Sequence, residues 1–368
     1  MKLMKNIGLL FLLCLAMPLI VSCVDLDENP PSDLSPQNFY TSESEYNAAL
    51  TGIIKALYSD WSGFDYGYDL ILASGAEDIR SDADLFKNFD RLVPNDRELV
   101  IHDFWMKCYQ AISNANTLIS KLQNAKDVSA EKLDALEGQA RFLRAFTYFY
   151  LVRFFGPVQV TTYENQNSIE TVKQSSVAEV YDTILEDLSI AEVKLPLSFA
   201  EKGRPTRGAA KTLMAKVYLT MTGWPLNDKS YYVLARDKAA EVMDEKYGYD
   251  LEDDFSDLWK QSNKLKSKEF IFTFYGSVAE DGVAGSHMDL ATRYFGNGEG
   301  GWGDYFSETR FFDAFPEGPR KDATFTSVFA DGTTFTEAGV EPFIAKYRDG
   351  GRRVSTSSEG FRPMLRFS

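Results

Sequence analysis

The sequence predicts a mainly α fold of paired helices, with a few short strands and long irregular loops in the C-terminal part. Three observations carry this. Between residues 42 and 247, apolar residues recur in alternating steps of three and four, the period of helices with a buried face. Serine-led capping signals and a Gly-Pro pair punctuate those segments. Beyond residue 247 the helical period fails. Phe270, Phe272 and Phe274 alternate with Ile271, Thr273 and Tyr275, which is the period of a strand.

Each element has its own warrant. Ser42 and Glu45 fit a capping box, followed by Tyr46, Ala49, Ile53 and Leu57 on one face. Ile101, Trp105, Cys108, Ile112, Ala115, Ile119 and Leu122 form the next stripe. Cys108 lies in that stripe, as a buried small hydrophobe rather than a nucleophile. After Ser129 come Leu133, Leu136, Ala140, Leu143, Thr147, Tyr150 and Phe154, with Phe142, Phe146 and Phe149 as a second stripe. A helix apolar on two sides is sandwiched between neighbours, and Gly156-Pro157 ends it. Ser176 and Glu179 open a helix with Val177, Val180, Ile184, Leu188 and Ala191 inward. Residues 207–222 place Ala210, Leu213 and Val217 inward. Residues 228–247 place Tyr232, Ala235, Ala239 and Val242 inward, with Gly248 behind. Helices paired in this order suggest an α-solenoid of tetratricopeptide type, although the repeat period is irregular.

The N-terminus carries a different message. Lys2 and Lys5 precede a short apolar run over residues 7–21, which ends in Ile20-Val21-Ser22-Cys23. This is a secretory signal, too short to span a bilayer. Its ending resembles a bacterial lipoprotein box, so Cys23 is expected to become the acylated first residue; the rival is a plain secretory signal with a chance cysteine. Residues 24–36 are acidic and proline-rich, an extended tether. The expected organisation is a signal over 1–22, acylated Cys23 and tether over 23–41, a helical region over 42–268 and a loop-rich region over 269–368.

Composition narrows the function. Of 368 residues, 44% are hydrophobic and 25% charged, as in globular proteins. The formal charge of −15 becomes more negative still when Lys2 and Lys5 leave. Such a surface repels nucleic acid and anionic head groups, so neither is an expected partner. Of the cysteines Cys14, Cys23 and Cys108, only the last stays available, so no intramolecular disulfide is expected.

Chemical motifs are sparse. Gly296-x-Gly298-x-x-Gly301 matches a dinucleotide fingerprint by letter, but Trp302-Gly303-Asp304-Tyr305 behind it makes a poor helix start. The only histidines are His102 and His287, and the usual marks of metal hydrolases and serine hydrolases are missing. No cofactor or metal is expected. Asp250, Glu252, Asp253 and Asp254 supply hard oxygens without calcium-loop spacing. Carboxylate pairs of the kind glycosidases use cannot be singled out among 54 acidic residues.

Two aromatic segments read as recognition loops. Residues 61–69 interleave Trp61, Phe64, Tyr66 and Tyr68 with small and acidic residues, including Asp69. Residues 294–305 do the same with Tyr294, Asn297, Trp302 and Tyr305. Ring faces stack on sugars, and Asp or Asn bonds their hydroxyls. The alternative is that these rings are buried anchors. Asp78 and Arg80 either orient a ligand or pair with each other.

At this point the residues resemble the SusD/RagB family of nutrient-binding outer-membrane lipoproteins. Phe39-Tyr40 with Glu45 and Tyr58 is similar to the family's opening helix, and Gly75-Ala76-Glu77-Asp78 to its acidic turn. Trp105, Tyr109, Ile112 and Asn116 match a further helix. The most specific match is residues 137–158, EGQARFLRAFTYFYLVRFFGPV. Gly203-Arg204-Pro205-Thr206 with Ala209, Ala210, Tyr218 and Leu219 adds another, as do Trp259, Glu269, Ile271 and Phe272. The resemblance implies a tetratricopeptide-like scaffold that binds oligosaccharide, or peptide in some members, without catalysis. It implies delivery to a SusC-like TonB-dependent outer-membrane transporter. It also implies a lipid-anchored place on the outer membrane, facing the exterior. Residues 362–367 resemble the start of a segment that continues into further helices, so a C-terminally shortened member is expected. The rivals are a lipid-anchored glycoside hydrolase and a helical scaffold that binds protein alone.

Overall fold

Helix formation follows the capping chemistry. In this computed structural model, residues 39–58, 63–64, 67, 71, 73–275, 291–346 and 361–367 are described. Helix α1 spans Glu43–Leu57, α2 Leu99–Leu122, α3 Ala130–Phe155, α4 Val177–Lys194, α5 Arg207–Met221 and α6 Tyr231–Val242. The Ser42 hydroxyl accepts the Glu45 N–H at 3.4 Å, and the Glu45 carboxylate accepts the Ser42 N–H at 2.8 Å. Ser176 and Glu179 close the same box on α4, while Ser129 and Thr206 cap α3 and α5. Each such cap contributes about 1 kcal/mol by satisfying an orphan donor. Gly156 ends α3 in a positive-φ conformation, just before Pro157.

The helices pack in sequence order: α1 on α2, α2 on α3, α3 on α4, α4 on α5 and α5 on α6. This is the mainly helical, tetratricopeptide-like scaffold that the periodicity suggests. Helix α3 is its centre and is buried nearly all round between residues 136 and 152. Its Phe142 and Phe146 meet Phe272 edge to face, at 5.0 and 5.8 Å. Its opposite side sets Phe149 against Tyr181 of α4. Gly138 lets α3 come close to the end of α4, since a Cβ there would lie 2.9 Å from Leu195 Cγ.

Two stripes differ from the sequence expectation. In α2 the buried face starts at Val100 and Phe104, and Ile101, Trp105 and Ile119 are half-buried. Phe104 takes the inner place because its ring packs among Phe64, Phe154 and Phe155. From Cys108 onward the expected Cys108, Ile112, Ala115 and Leu122 are all buried. In α6, Tyr232 and Ala239 are exposed, and only Ala235 and Val242 are buried. The helix is also shorter than expected, ending before a 3-10 turn over Glu245–Tyr247. α6 stands last in the helical series and packs against α5, so its buried stripe is narrow.

A polar network fastens the helices. The Asp187 carboxylate of α4 is buried, and it accepts from Arg141 at 2.9 Å and from Arg144 at 2.7 and 2.8 Å, both on α3. Arg144 also donates to Asn116 of α2 at 2.6 Å. Glu137 accepts from Arg141 and Lys194, each at 2.7 Å. The segment 137–158, which carries the most specific resemblance, is therefore scaffold.

The strands are short. β1 spans Ile79–Arg80, β2 Val158–Gln159, β3 Gln174–Ser175, β4 Phe270–Tyr275, β5 Phe306–Ser307, β6 Phe325–Thr326, β7 Phe343–Ile344 and β8 Phe361–Arg366. Antiparallel pairing gives one sheet in the order β1-β5-β7-β6, and the pairs β2-β3 and β4-β8. β4 is buried from Ile271 through Phe274, so both of its faces are covered. The C-terminal part also holds two one-and-a-half-turn helices, α7 (Thr309–Ala314) and α8 (Pro319–Thr324). Phe311, Phe312, Phe315 and Phe335 pack around Phe325 and one another there. Contacts gather Ser42–Ser368 into one unit; in the stretch before it, Phe39 and Tyr40 meet edge to face. Among the described residues, no helix is long and apolar enough to cross a membrane.

Candidate functional site

Residues 291–305 form a doubled-back loop that runs into β5. The Ala291 carbonyl accepts from Asp304 and Tyr305, the Arg293 carbonyl from Gly303, and the Tyr294 carbonyl from Gly301. The two limbs lie so close that a Cβ on Gly301 would stand 2.3 Å from the Arg293 carbonyl oxygen. Asn297 and Gly298 turn the tip through positive φ. The glycine pattern therefore serves a tight loop. The next element is strand β5, not the helix a dinucleotide site needs.

Two polar contacts pin this loop to the turn at 328–334. The buried Glu299 carboxylate accepts the Ala330 N–H at 2.9 Å. Asn297 donates to Asp331 at 2.8 Å, so its side chain braces the loop. Tyr294 is half-buried against Phe329 and Phe343, at 5.1 and 5.3 Å. Two rings remain at the surface: Phe295, 69% exposed, and Trp302, 37% exposed. The sequence reading did not single out Phe295, although its position beside Tyr294 in the aromatic segment is a usable signal.

Two of the expected ring contacts are corrected. Tyr305 is 1% exposed, packs on Phe86 and shares a 2.6 Å hydrogen bond with Ser74. Burial pushes its phenol well above the usual range. Phe64 is fully buried among Phe104, Phe146, Tyr150 and Phe274. Both are core residues because their rings complete aromatic clusters that would otherwise hold voids. Trp61, Tyr66, Tyr68 and Asp69 lie outside the described residues, as does Cys23.

The β1-β5 pairing brings Asp78 and Arg80 to the root of the same loop. Ile79 faces Ser307, and Arg80 faces Phe306. Arg80 and Asp78 do not pair with each other. The Arg80 guanidinium meets Glu308 at 3.3 Å and Glu341 at 3.1 Å, and lies 5.6 Å from the centre of the Phe306 ring. Burial pushes the Glu341 carboxyl up, Glu308 and Asp82 add to the rise, and Arg80 opposes it. The Asp78 carbonyl accepts the Glu308 N–H at 3.0 Å. Glu308 and Glu341 join the candidate group through Arg80, and no local pattern in the sequence could have revealed them, because strand pairing brings them there.

A second concavity has a volume of about 170 Å³ and is lined by Phe199, Arg204, Tyr247, Tyr249 and Tyr275. Tyr247 and Tyr249 lie parallel, 6.2 Å apart. Its arginine is committed to structure: Arg204 donates to Asn47, Gln139 and Glu201. Asp254, from the acidic stretch, caps the 3-10 turn Phe255–Trp259 through the Ser256 N–H. Among the described residues, no three His, Cys, Asp or Glu side chains are grouped to hold a metal.

Comparison with known proteins adds the following. The SusD-like family model, described as starch-binding and associating with the outer membrane, matches residues 26–219. A SusD-like protein P2 of Formosa agariphila is 27% identical over 78% of this chain and 57% of its own length. A SusD-like protein of Bacteroides ovatus is 29% identical over 69% of this chain and 47% of its own. The chain thus spans about half the length of the curated relatives it matches. Among solved structures, a SusD superfamily protein from Parabacteroides distasonis superposes with a TM-score of 0.73 at 26% identity, covering 89% of this chain and 74% of that one. A structure described as a laminarin-binding SusD-like protein superposes with a TM-score of 0.72 at 23% identity, covering 89% and 78%.

Proposed function

The chain belongs to the SusD-like family, and from that premise we propose that it is a glycan-binding protein of the outer membrane, which captures oligosaccharide and passes it to a partner TonB-dependent transporter. The observation that carries the reading is the braced loop with Trp302 and Phe295 at its surface. Flat rings held on a rigid loop stack on sugar faces at little ordering cost. The acidic groups around Arg80 offer acceptors for sugar hydroxyls. The family description, starch-binding, supports capture rather than turnover. Laminarin, the ligand named for one protein of the same fold, is the first polysaccharide to try. Anchoring follows from Cys23: acyl chains on one terminal residue hold a folded domain at a membrane without a spanning helix.

Affinity electrophoresis of the soluble form against a polysaccharide panel tests the capture. Retardation by one polysaccharide, lost in Trp302→Ala while the melting temperature holds, is the expected result. A folded sample retarded by none would overturn glycan capture and leave peptide cargo or protein scaffolding. For the anchor, Cys23→Ala is expected to move the protein from the detergent phase to the aqueous phase; a variant that still partitions with membranes refutes the lipid.

A further inference from the structure

A second group of residues concentrates positive charge in a chain whose net charge is −15. Lys346 follows β7, and its ammonium stands 5.2 Å from the centre of the Trp259 ring. The Arg366 guanidinium, at the end of β8, lies 5.9 Å from the same ring. Arg320 of α8 sits 4.8 Å over Phe255, whose ring is 6.0 Å from Trp259. Arg362 of β8 acts on Lys346 as well. The Asp78 carboxylate acts on Lys346, and Glu269 faces Arg366. Glu269 is 3.7 Å from Arg366 and already accepts the Glu252 N–H through its other oxygen.

Lys346 and Arg366 are weakly paired. Lys346 makes no hydrogen bond or ion pair among the described residues, and its one close partner is the indole face. Arg366 Nη1 is buried without a hydrogen-bond partner. Burial, then Arg366, Arg320 and Arg362, hold the Lys346 ammonium below the usual lysine range, against the pull of Asp78. Lys346 and Arg366 are half-buried while Arg320 is exposed; half-buried cations that are weakly paired are costly, and an anion that joins them relieves the cost. The indole pre-places two of them by cation–π attraction, and arginine presents the fork that suits a planar or tetrahedral oxyanion.

We propose that the cationic cluster at Trp259 binds an oxyanion carried on a sugar, a uronic carboxylate or a sulfate ester, with Lys346, Arg366 and Arg320 as its ligands. Its ligands are not the rings of the aromatic loop, although Asp78 lies between the two; that the oxyanion arrives on a sugar rests on the glycan reading above. The cargo it favours is an acidic glycan, which a chain this acidic would otherwise repel.

Calorimetry on the full chain tests it with sodium glucuronate, sodium sulfate and glucose, at an ionic strength held constant with sodium chloride. A saturable heat with glucuronate alone assigns a carboxylate, with sulfate alone a sulfate ester, and with both an oxyanion of either kind; glucose gives none. Lys346→Gln and Arg366→Gln each weaken binding about tenfold, the scale of one charge-assisted hydrogen bond, and Trp302→Ala leaves it unchanged. No saturable heat with either anion overturns the site, as do folded Lys346→Gln and Arg366→Gln variants that bind like the wild type. Because these probes are small, their failure leaves polysaccharide retardation through Trp302 standing, and the reverse also holds.

Discussion

Trp302 and Tyr305 lie in one aromatic segment and take opposite placements. The first is at the surface; the second is sealed against Phe86 and bonded to Ser74. Trp302→Ala is therefore expected to abolish retention and spare stability. Tyr305→Phe is expected to lower stability by about 1 kcal/mol, the net worth of one hydrogen bond, with retention intact. Chemical denaturation alongside affinity electrophoresis separates the two. The sequence shows that both segments are rich in rings set among glycines, but not which way each ring points. A loop has no period, so spacing carries no facing information. Here facing is set by backbone bonds such as Gly303 to Arg293, and by the room that only Gly301 leaves. Phe64 is hidden from the sequence for the same reason, since its burial depends on rings from α2, α3 and β4.

Secondary elements are legible where a period and a cap coincide. Ser42 and Ser176 announce α1 and α4, and the structure holds both capping boxes. Periodicity fails where one neighbour dominates: Phe104 shifts the α2 stripe by a residue, and α6 buries only Ala235 and Val242. The junction of α2, α3 and α4 depends on Asp187. Asp187→Ala leaves two arginines without their buried counter-ion and is expected to cost about 3–5 kcal/mol in denaturant unfolding. The same junction predicts an acid response. Burial alone would raise the Glu137 carboxyl, but hydrogen bonds from Lys194 and Arg141 outweigh it and hold the group below its usual value. A depressed carboxyl stabilises the fold above the ordinary glutamate range and loses that contribution as the pH falls through the folded value. Melting temperatures taken across that range are expected to fall less steeply in Glu137→Gln than in the wild type.

Across the whole molecule, the order of the helices can be read from the chain and the strand pairing cannot. Short strands of two residues carry too little pattern to name partners, and Arg80 meets Glu308 and Glu341 because β1 joins β5 and β5 joins β7. The β4-β8 pair shows a further side of this. Nearly all of the loop-rich part lies between its two strands, whereas each helix packs on the next in sequence. Contacts between neighbours in sequence form quickly, while a pairing that closes a long loop must first overcome the entropy of the intervening chain. The molecule is thus expected to assemble in two beats. Pulse-labelled hydrogen exchange during refolding should find α2 to α5 protected while β4 is still open. The aromatic loop and the cationic cluster at Trp259 then take shape in the second beat, so the surfaces proposed for recognition are the last that this chain builds.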